Sequence, residues 1–154
     1  MIVSVAGNGA GGHSGDNGPA ISAQITPYGL AVSSSGIIYI PESTYIRQVT
    51  SGTIITIAGT GVDGFGGDGG LAVNALLSYA RSIAVDNSGA IYIADTNNYR
   101  VRKSAGGFIT TVGGQGVVFY NGDGPALTTN LDPYSIALDS SGKLMIADRY
   151  NNFI

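Results

Sequence analysis

The sequence predicts an all-β fold, in which about three similar four-stranded antiparallel sheets follow one another as the blades of an incomplete propeller. The first observation is a short β-branched segment ending in glycine that occurs three times, at 3–7, 55–59 and 110–114. The second is that a glycine-rich stretch with an aspartate follows each copy, and two apolar runs joined by a Ser-Gly turn come next. The third is a fixed interval of 53 residues between the turn glycines Gly36, Gly89 and Gly142. A fixed interval of this length indicates repeated supersecondary units.

The composition agrees with many short strands joined by tight turns. Of the 154 residues, 44% are hydrophobic, 11% are charged and 25 are glycines, whereas a disordered chain has fewer apolar residues and more charge. The formal net charge is −3 and the basic residues are scattered, so the basic stripe of a nucleic-acid-binding protein is missing. The sequence has no cysteine and no long apolar run. We therefore expect no nucleic-acid partner and no membrane span.

The middle copy defines the predicted unit. Residues 82–86 are a short apolar strand that we expect to be buried on both faces, and the turn at Gly89 leads to a second strand at 90–95. Residues 100–103 alternate charged and apolar side chains, which is typical of a more exposed third strand. Residues 108–112 form the fourth strand. Four antiparallel strands within about 50 residues describe one propeller blade.

The other copies extend this unit over the whole chain as one domain, 1–154. The predicted repeats lie at approximately 2–49, 54–103 and 109–154. A strand equivalent to the fourth strand of a blade is predicted at 3–6, and the last copy stops at Ile154, near the start of its third strand. Three blades in an arc leave two open edges, which recruit partners or aggregate.

Two explanations of the open arc remain. In the preferred one, the chain is a segment of a longer propeller, because Ile154 falls within a blade. In the other, copies of the chain assemble into a ring as a homo-oligomer, and residues 3–6 complete the last blade of a partner.

Two segments of the sequence carry a family resemblance. Residues 27–32 read Pro-Tyr-Gly-Leu-Ala-Val, and residues 91–103 read Ile-Tyr-Ile-Ala-Asp-Thr-Asn-Asn-Tyr-Arg-Val-Arg-Lys. Together with the glycine-rich loops they resemble the NHL-repeat family of β-propellers over nearly the whole chain. The resemblance implies the propeller fold, commonly with six blades, and is far less specific for function. One departure is Arg81, which stands where the other copies have Tyr28 and Tyr134.

The end of the blades that carries the long loops is the predicted binding surface. In a four-stranded antiparallel blade, the fourth-to-first and second-to-third connections lie at the same end, and the first strands line the central channel. The residues that begin the first strands therefore ring the channel mouth, where aromatic and arginine side chains suit contact with a ligand or a protein. The alternative is that the tyrosine rings only cap the inner strand. Six side chains are predicted to bind the ligand: Tyr28, Arg81, Tyr134, His13, Phe65 and Tyr120.

One aspartate recurs in the glycine-rich loop of each copy: Asp16, Asp68 and Asp123. They are the candidate metal ligands, since a hard cation such as calcium prefers several oxygen atoms. Because each loop supplies few carboxylates, we expect each aspartate to bind the backbone of its own glycine turn instead. We therefore predict no cofactor, with calcium as the alternative.

Carboxylates also end the predicted second strands, at Glu42, Asp95 and Asp148, while Arg47 and Arg102 lie on third strands. Ion pairs, or hydrogen bonds from side chains to the backbone, between neighbouring strands are the expected use of these groups. No catalytic residue is predicted, because the chain has one histidine and no close carboxylate pair for acid–base chemistry.

The leading functional hypothesis is a non-catalytic binding or assembly module that recognises a protein or a glycan through its loop-rich end. The family resemblance implies one alternative, part of a propeller lyase or hydrolase whose metal ligands lie in blades absent from this chain. A second alternative is a structural subunit of an extracellular assembly. An extracellular or cell-surface location is expected from the family and from the scarcity of charge.

Overall fold

The computed structural model describes all residues from Met1 to Ile154 and contains eleven strands in three antiparallel sheets. The strands of the first sheet are β1 Gly18–Pro19, β2 Ala31–Val32, β3 Ile38–Glu42, β4 Tyr45–Thr50 and β5 Thr53–Ala58. Those of the second sheet are β6 Ala80–Val85, β7 Ile91–Asp95, β8 Arg100–Ala105 and β9 Phe108–Gly113. The third sheet has two strands, β10 Pro133–Leu138 and β11 Leu144–Asp148.

The second sheet has the four-stranded order predicted for the middle copy. Its strands lie side by side in chain order, β6-β7-β8-β9, and each pairs antiparallel with the next. The first sheet repeats this order in β2 to β5, with the two-residue β1 added outside β5. We call β2–β5 the first blade, β6–β9 the second blade, and the pair β10 and β11 the third blade. The prediction of an all-β propeller segment with open edges is confirmed.

The blades pack face to face through their apolar side chains. A core between the first and second blades is built around Ile46, Leu77, Ile83 and Ile93, all buried. A smaller core joins the second and third blades and includes Ile136. The innermost strands of these two blades are neighbours, because the Ile136 amide donates to the Ser82 hydroxyl at 3.1 Å. The inner strands thus form a common rim.

The predicted strand at 3–6 is wrong. These residues have no strand structure, and the side chains of Val3 and Val5 are exposed. A strand needs a neighbour for its backbone hydrogen bonds, and no other strand of the structure lies beside this segment. The outer edge of β5, the equivalent fourth strand, is instead paired with Gly18 and Pro19.

Three short 3₁₀ turns complete the secondary structure, at Ala20–Ser22, Ala72–Asn74 and Thr96–Asn98. The first two lie in the glycine-rich loops that precede the first and second blades. The third connects β7 to β8. None of the helical segments has the length and apolar character that a membrane span requires.

Candidate binding site

Irregular pairing at the start of the inner strands presents the predicted mouth residues. In the second blade Ala80 pairs with Asp95 and Ser82 with Ala94, so Arg81 is the extra residue of a β-bulge. Tyr134 is the extra residue of the same bulge in the third blade, between Pro133 and Ser135. A bulge turns one side chain away from the regular alternation of a strand. The second and third blades therefore share a β-bulge that presents one side chain near the start of the inner strand.

These side chains belong to a continuous row of tyrosine rings and guanidinium groups, which we call the tyrosine–arginine ladder. Its members, in spatial order, are Tyr28, Tyr79, Arg81, Tyr134, Arg149 and Tyr150.

The ladder begins with the edge-to-face pair of Tyr28 and Tyr79, whose ring centroids are 5.0 Å apart. The Arg81 guanidinium lies 5.6 Å from the Tyr79 ring centroid and 3.9 Å from the Tyr134 ring centroid. The Arg149 guanidinium lies 4.7 Å from the centroid of the same Tyr134 ring. Such contacts attract a cation to the negative face of an aromatic ring. The ladder therefore ties residues of all three blades together at the end of the blades where β6 and β10 begin.

The central part of the ladder lines an open cavity of about 300 Å³. The structure thus brings three predicted residues, Tyr28, Arg81 and Tyr134, into one site. The complete lining is Tyr28, Gly29, Leu30, Arg81, Ser82, Ile83, Tyr134 and Ser135. It combines aromatic and aliphatic surface with one cation and contains no carboxylate, histidine or lysine side chain.

The two arginines of the ladder differ in their charge partners. Arg149 donates through Nε to the buried carboxylate of Asp132 at 2.9 Å. Arg81 donates to the Tyr79 hydroxyl at 2.7 Å and takes part in none of the ion pairs of the chain. The positive charge at the cavity is therefore not neutralised by a carboxylate in direct contact.

The other three predicted binding residues lie outside this cavity. His13, Phe65 and Tyr120 each stand two residues before the Gly-Asp pair of a glycine-rich loop. His13 stacks on Tyr45 at 3.6 Å, and the Arg100 guanidinium lies 3.8 Å from the Phe65 ring centroid. Tyr120 packs against Phe153, with ring centroids 4.6 Å apart. These rings hold the glycine-rich loops against their own blades.

The glycine-rich loops and the second-to-third connections do lie at the same end of the blade. Asn98, in the turn after β7, donates its amide to the Gly64 carbonyl of the long loop at 2.7 Å. The start of β6 is at this end too, since Ala80 pairs with Asp95 at the end of β7. The predicted arrangement of the loop-rich end is therefore confirmed for the second blade.

The prediction that the loop aspartates bind their own glycine turns is wrong for Asp16 and Asp68. Asp16 pairs with Arg47 at 2.6 Å, and Asp68 pairs with Arg102 at 2.7 Å. Both arginine side chains are fully buried, and a buried guanidinium requires carboxylate partners. Asp123 accepts a hydrogen bond from the Tyr120 hydroxyl at 2.7 Å.

The predicted ion pairs between second and third strands are confirmed in two blades. Arg102 lies 3.2 Å from Asp95, and Arg47 lies 3.6 Å from Glu42. Burial raises the pKa of the Asp95 carboxyl, against the opposing effects of the Ser78 amide and of neighbouring side chains. Burial also raises the pKa of Glu42. Nowhere in the chain do three or more His, Cys, Asp or Glu side chains form a group suited to hold a metal ion.

Sequence reasoning missed three members of the ladder, Tyr79, Arg149 and Tyr150. Each departs from the repeat pattern. Tyr79 stands where the other copies have Thr26 and Asp132, and Arg149-Tyr150 stands where the middle copy has Thr96-Asn97. The signal that could have found these ladder residues is a difference between aligned repeats, because the positions that the repeats share mainly build the blade.

Comparisons with known proteins agree with this architecture. The family model described as NHL repeat matches residues 77–103, which include β6, β7 and most of β8. Human Teneurin-4 is 40% identical over 89 residues, and chicken Teneurin-1 is also 40% identical over 89 residues. Each match covers 47% of this chain and 3% of the relative. The chain thus spans a small part of these proteins.

Solved structures show the same fold at low sequence identity. A Bacteroides thetaiotaomicron protein of unknown function superposes with a TM-score of 0.70 at 24% identity, covering 80% of this chain and 32% of that one. An auxiliary nutrient binding protein from the same organism gives a TM-score of 0.66 at 19% identity, with coverages of 80% and 35%. Staphylococcus aureus virginiamycin B lyase gives 0.52 at 19% identity, with coverages of 79% and 34%. The chain therefore carries an NHL repeat at residues 77–103 and has the fold of a β-propeller segment.

Proposed function

We propose that this chain is part of a non-catalytic binding module, and that the tyrosine–arginine ladder is its recognition surface for a protein segment or a glycan. The observation that carries the proposal is the position of Arg81. Its guanidinium lies between the Tyr79 and Tyr134 rings, at an open cavity, without a carboxylate partner.

The chemistry of the ladder supports recognition of a ligand with a flat or anionic group. Tyrosine and arginine are, with tryptophan, the side chains enriched where binding energy is concentrated in protein interfaces. Tyrosine rings offer a large contact area at a low cost in conformational entropy. A free guanidinium donates two parallel hydrogen bonds to a carboxylate. A protein segment with an acidic side chain is therefore the preferred ligand, and a glycan that stacks on the rings is the second.

The cavity offers little to a reaction mechanism. General acid–base catalysis uses His, carboxylate, Lys, Tyr or Cys groups positioned against the substrate, and a metal site needs several ligands together. Of these groups the lining holds only two tyrosines, beside one arginine and two serines, and no base is in position to accept their protons. Virginiamycin B lyase shares the fold only, at 19% identity. The enzyme hypothesis thus has no support from the side chains at this site.

A cell-surface or extracellular location is part of the proposal. The sequence likeness to the teneurins, which are cell-surface proteins, supports it. The low content of charged residues is compatible with that environment.

The proposal is tested by screening a fluorescent, tetramerised form of the chain against a glycan array and a library of extracellular protein domains. A ligand that uses the ladder should bind the Arg81→Ala and Tyr134→Ala variants about tenfold more weakly or worse. Lys103→Ala is the matched control, because Lys103 also contacts a tyrosine ring, that of Tyr92, but lies outside the ladder.

Three outcomes would count against the proposal. Equal losses for Lys103→Ala and Arg81→Ala would show that the effect is not specific to the ladder. Ligands that ignore both ladder variants would place recognition elsewhere. Recovery of a ligand cleaved by the chain, detected by mass spectrometry, would favour the enzyme hypothesis instead.

A further inference from the structure

The two arginines of the tyrosine–arginine ladder approach one ring, that of Tyr134. The strand that contains this ring, β10, lies between β6 and β11, because it pairs with β11 and its Ile136 amide donates to Ser82 of β6. Arg81 belongs to β6, and Arg149 directly follows β11. Their guanidinium groups lie 3.9 and 4.7 Å from the ring centroid, so the distance between them cannot exceed the sum of these two values. Two groups of hydrogen-bond donors are thus held around a single aromatic ring.

Both guanidinium groups keep most of their donors unused. A guanidinium has five N–H donors in one plane. Arg81 uses Nη1 to donate to the Tyr79 hydroxyl, and the half-exposed Arg149 uses Nε to donate to Asp132. The Nε and Nη2 donors of Arg81 and the two Nη groups of Arg149 remain available. Each set forms two parallel hydrogen bonds to a carboxylate, so the ladder has room for two carboxylates at once.

The separation of the two guanidinium groups suits an extended peptide segment. In a β-strand, residues i and i+2 project to the same side and lie about 7 Å apart. This spacing falls within the limit set by the Tyr134 ring. Glutamates at these two positions therefore reach both arginines, while the residue between them faces solvent. Two adjacent glutamates project to opposite sides of the strand, so only one of them reaches the ladder.

The surroundings of the two arginines favour a protein segment over a nucleic acid. A nucleic-acid site neutralises many phosphates with a continuous basic stripe, whereas the ladder has two cations and the chain has a net charge of −3. The buried Asp132 carboxylate beside Arg149 would repel a continuous chain of phosphates. At its two ends the ladder presents the exposed rings of Tyr28 and Tyr150. These rings suit apolar side chains on either side of an acidic pair.

We propose that the ladder binds an extended protein segment with two glutamates two residues apart, Glu-X-Glu, and that Arg81 binds one carboxylate and Arg149 the other. This rests on the proposed function, because it concerns the same surface. It adds the spacing of the acidic groups in the ligand and a binding role for Arg149. Apolar residues two positions before and after the acidic pair contact the tyrosine rings. The X side chain faces solvent and has no effect on affinity.

The spacing is tested with peptides of equal composition and charge. The probe is Val-Ser-Glu-Ser-Glu-Ser-Val with blocked ends, and the matched control is Val-Ser-Glu-Glu-Ser-Ser-Val. Binding to the full chain is measured by titration of amide chemical shifts. We expect the control to bind about fivefold more weakly or worse, because one of its carboxylates faces away from the ladder. Replacing the central serine of the probe by alanine should leave its affinity unchanged.

Chain variants test the assignment of the two arginines. Arg149→Gln should weaken binding of the probe about tenfold, and the loss should be smaller for the peptide Val-Ser-Glu-Ser-Gln-Ser-Val. Arg149→Lys keeps a cation beside the buried Asp132 and should bind with intermediate affinity. Arg100→Gln is the matched control and should bind normally, because Arg100 lies against Phe65, outside the ladder, and also has no carboxylate partner.

Four results would overturn the proposed spacing. These are equal affinity for the peptides with separated and with adjacent glutamates, normal binding by the folded Arg149→Gln and Arg149→Lys variants, no detectable binding of the probe, and tighter binding of a single-stranded oligouridylate than of the probe. The last result would identify a phosphate backbone as the ligand instead of a protein segment.

Failure of the spacing is distinguishable from failure of the proposed function. If separated and adjacent glutamates bind equally well but Arg81→Ala weakens both peptides, the ladder remains a recognition surface and only the Glu-X-Glu spacing is lost. If the peptides bind the Arg81→Ala and Tyr134→Ala variants as well as they bind the native chain, recognition lies elsewhere and both proposals fail.

Discussion

At the scale of single residues, two buried arginines do most to fix the loop-rich end. Arg102 is fully buried and donates to Asp68, Asp95 and the backbone carbonyls of Leu76 and Gly66. One side chain thus connects the long loop, the end of β7 and the third strand. Because five N–H donors on a rigid plane serve these partners, lysine is a poor substitute.

We predict that Arg102→Leu lowers the free energy of unfolding by about 3–5 kcal/mol, because it leaves buried carboxylate without its cation. Urea unfolding followed by circular dichroism measures the change. Lys103→Leu is the control. Lys103 and Asp86 form an ion pair at 3.7 Å in which both side chains are partly exposed, and such a pair contributes less than about 1 kcal/mol. A loss for Arg102→Leu no larger than that of the control would refute this role.

Glycine is required at Gly114 by space as well as by backbone conformation. Its φ is +80°, and an added Cβ would lie 2.2 Å from the carbonyl oxygen of Tyr99. Gly89 has nearly the same φ, +84°, but nothing lies within 4 Å of the added atom. The pair therefore separates the cost of the left-handed conformation from the cost of a clash.

We predict that Gly89→Ala destabilises the chain by about 1–2 kcal/mol, from the left-handed conformation alone. Gly114→Ala should cost clearly more, because the backbone of Tyr99 must also move. Thermal or urea unfolding of both variants provides the comparison. Equal losses would contradict the packing described around Gly114.

At the scale of elements, each loop that joins the first and second strands of a blade is closed by one side chain. Asp139 accepts hydrogen bonds from the Ser141 hydroxyl and from the amides of Ser141 and Lys143. Asp86 does the same with Ser88 and Ala90. The Ser141 hydroxyl is the main reason that the pKa of Asp139 lies below its ordinary value of 3.8.

We predict that Ser141→Ala raises the pKa of Asp139, as measured by NMR titration of the side-chain carboxyl carbon. Because the folded value lies below the ordinary one, the contribution of this carboxylate to stability is fully present above pH 3.8 and is lost as the pH falls through the folded value. In Ser141→Ala, the folded pKa should lie closer to 3.8, so the pH range over which this contribution is lost should become narrower. Ser140→Ala is the control, and an equal shift in both variants would contradict the assigned hydrogen bond.

The elements also show how far sequence reasoning reaches. The strands of the middle copy were predictable, because apolar runs and turn glycines are local properties of the chain. The absence of a strand at 3–6 was not predictable from the sequence. The sequence of this segment suits a strand, and only the lack of a neighbouring strand prevents pairing. The bulges that display Arg81 and Tyr134 depend on pairing between strands, which the repeat pattern alone does not show.

At the scale of the whole molecule, the candidate site depends on how the blades are placed beside one another. The ladder draws its residues from all three blades, and the inner strands β6 and β10 each contain only one of its members. The prediction of Tyr28, Arg81 and Tyr134 followed from the propeller geometry, since these residues are about 53 positions apart. The remaining members came from positions that differ between repeats, which a search for shared patterns passes over.

The open edges give the molecule a second property that follows from its overall shape. In the complete second blade, Asp68 and Asp95 are both neutralised by Arg102, whereas the equivalent Asp123 and Asp148 of the third blade take part in no ion pair.

The central claim is that neighbouring blades bring the ladder residues into contact at the end of the blades where β6 and β10 begin. NOESY spectra of the chain test it most directly, because the Arg81 guanidinium lies 3.9 Å from the Tyr134 ring centroid. We predict cross-peaks between the Arg81 δ-methylene and the Tyr134 ring protons, and between the rings of Tyr28 and Tyr79. Cross-peaks from these four side chains that stay within their own sheets would contradict the account.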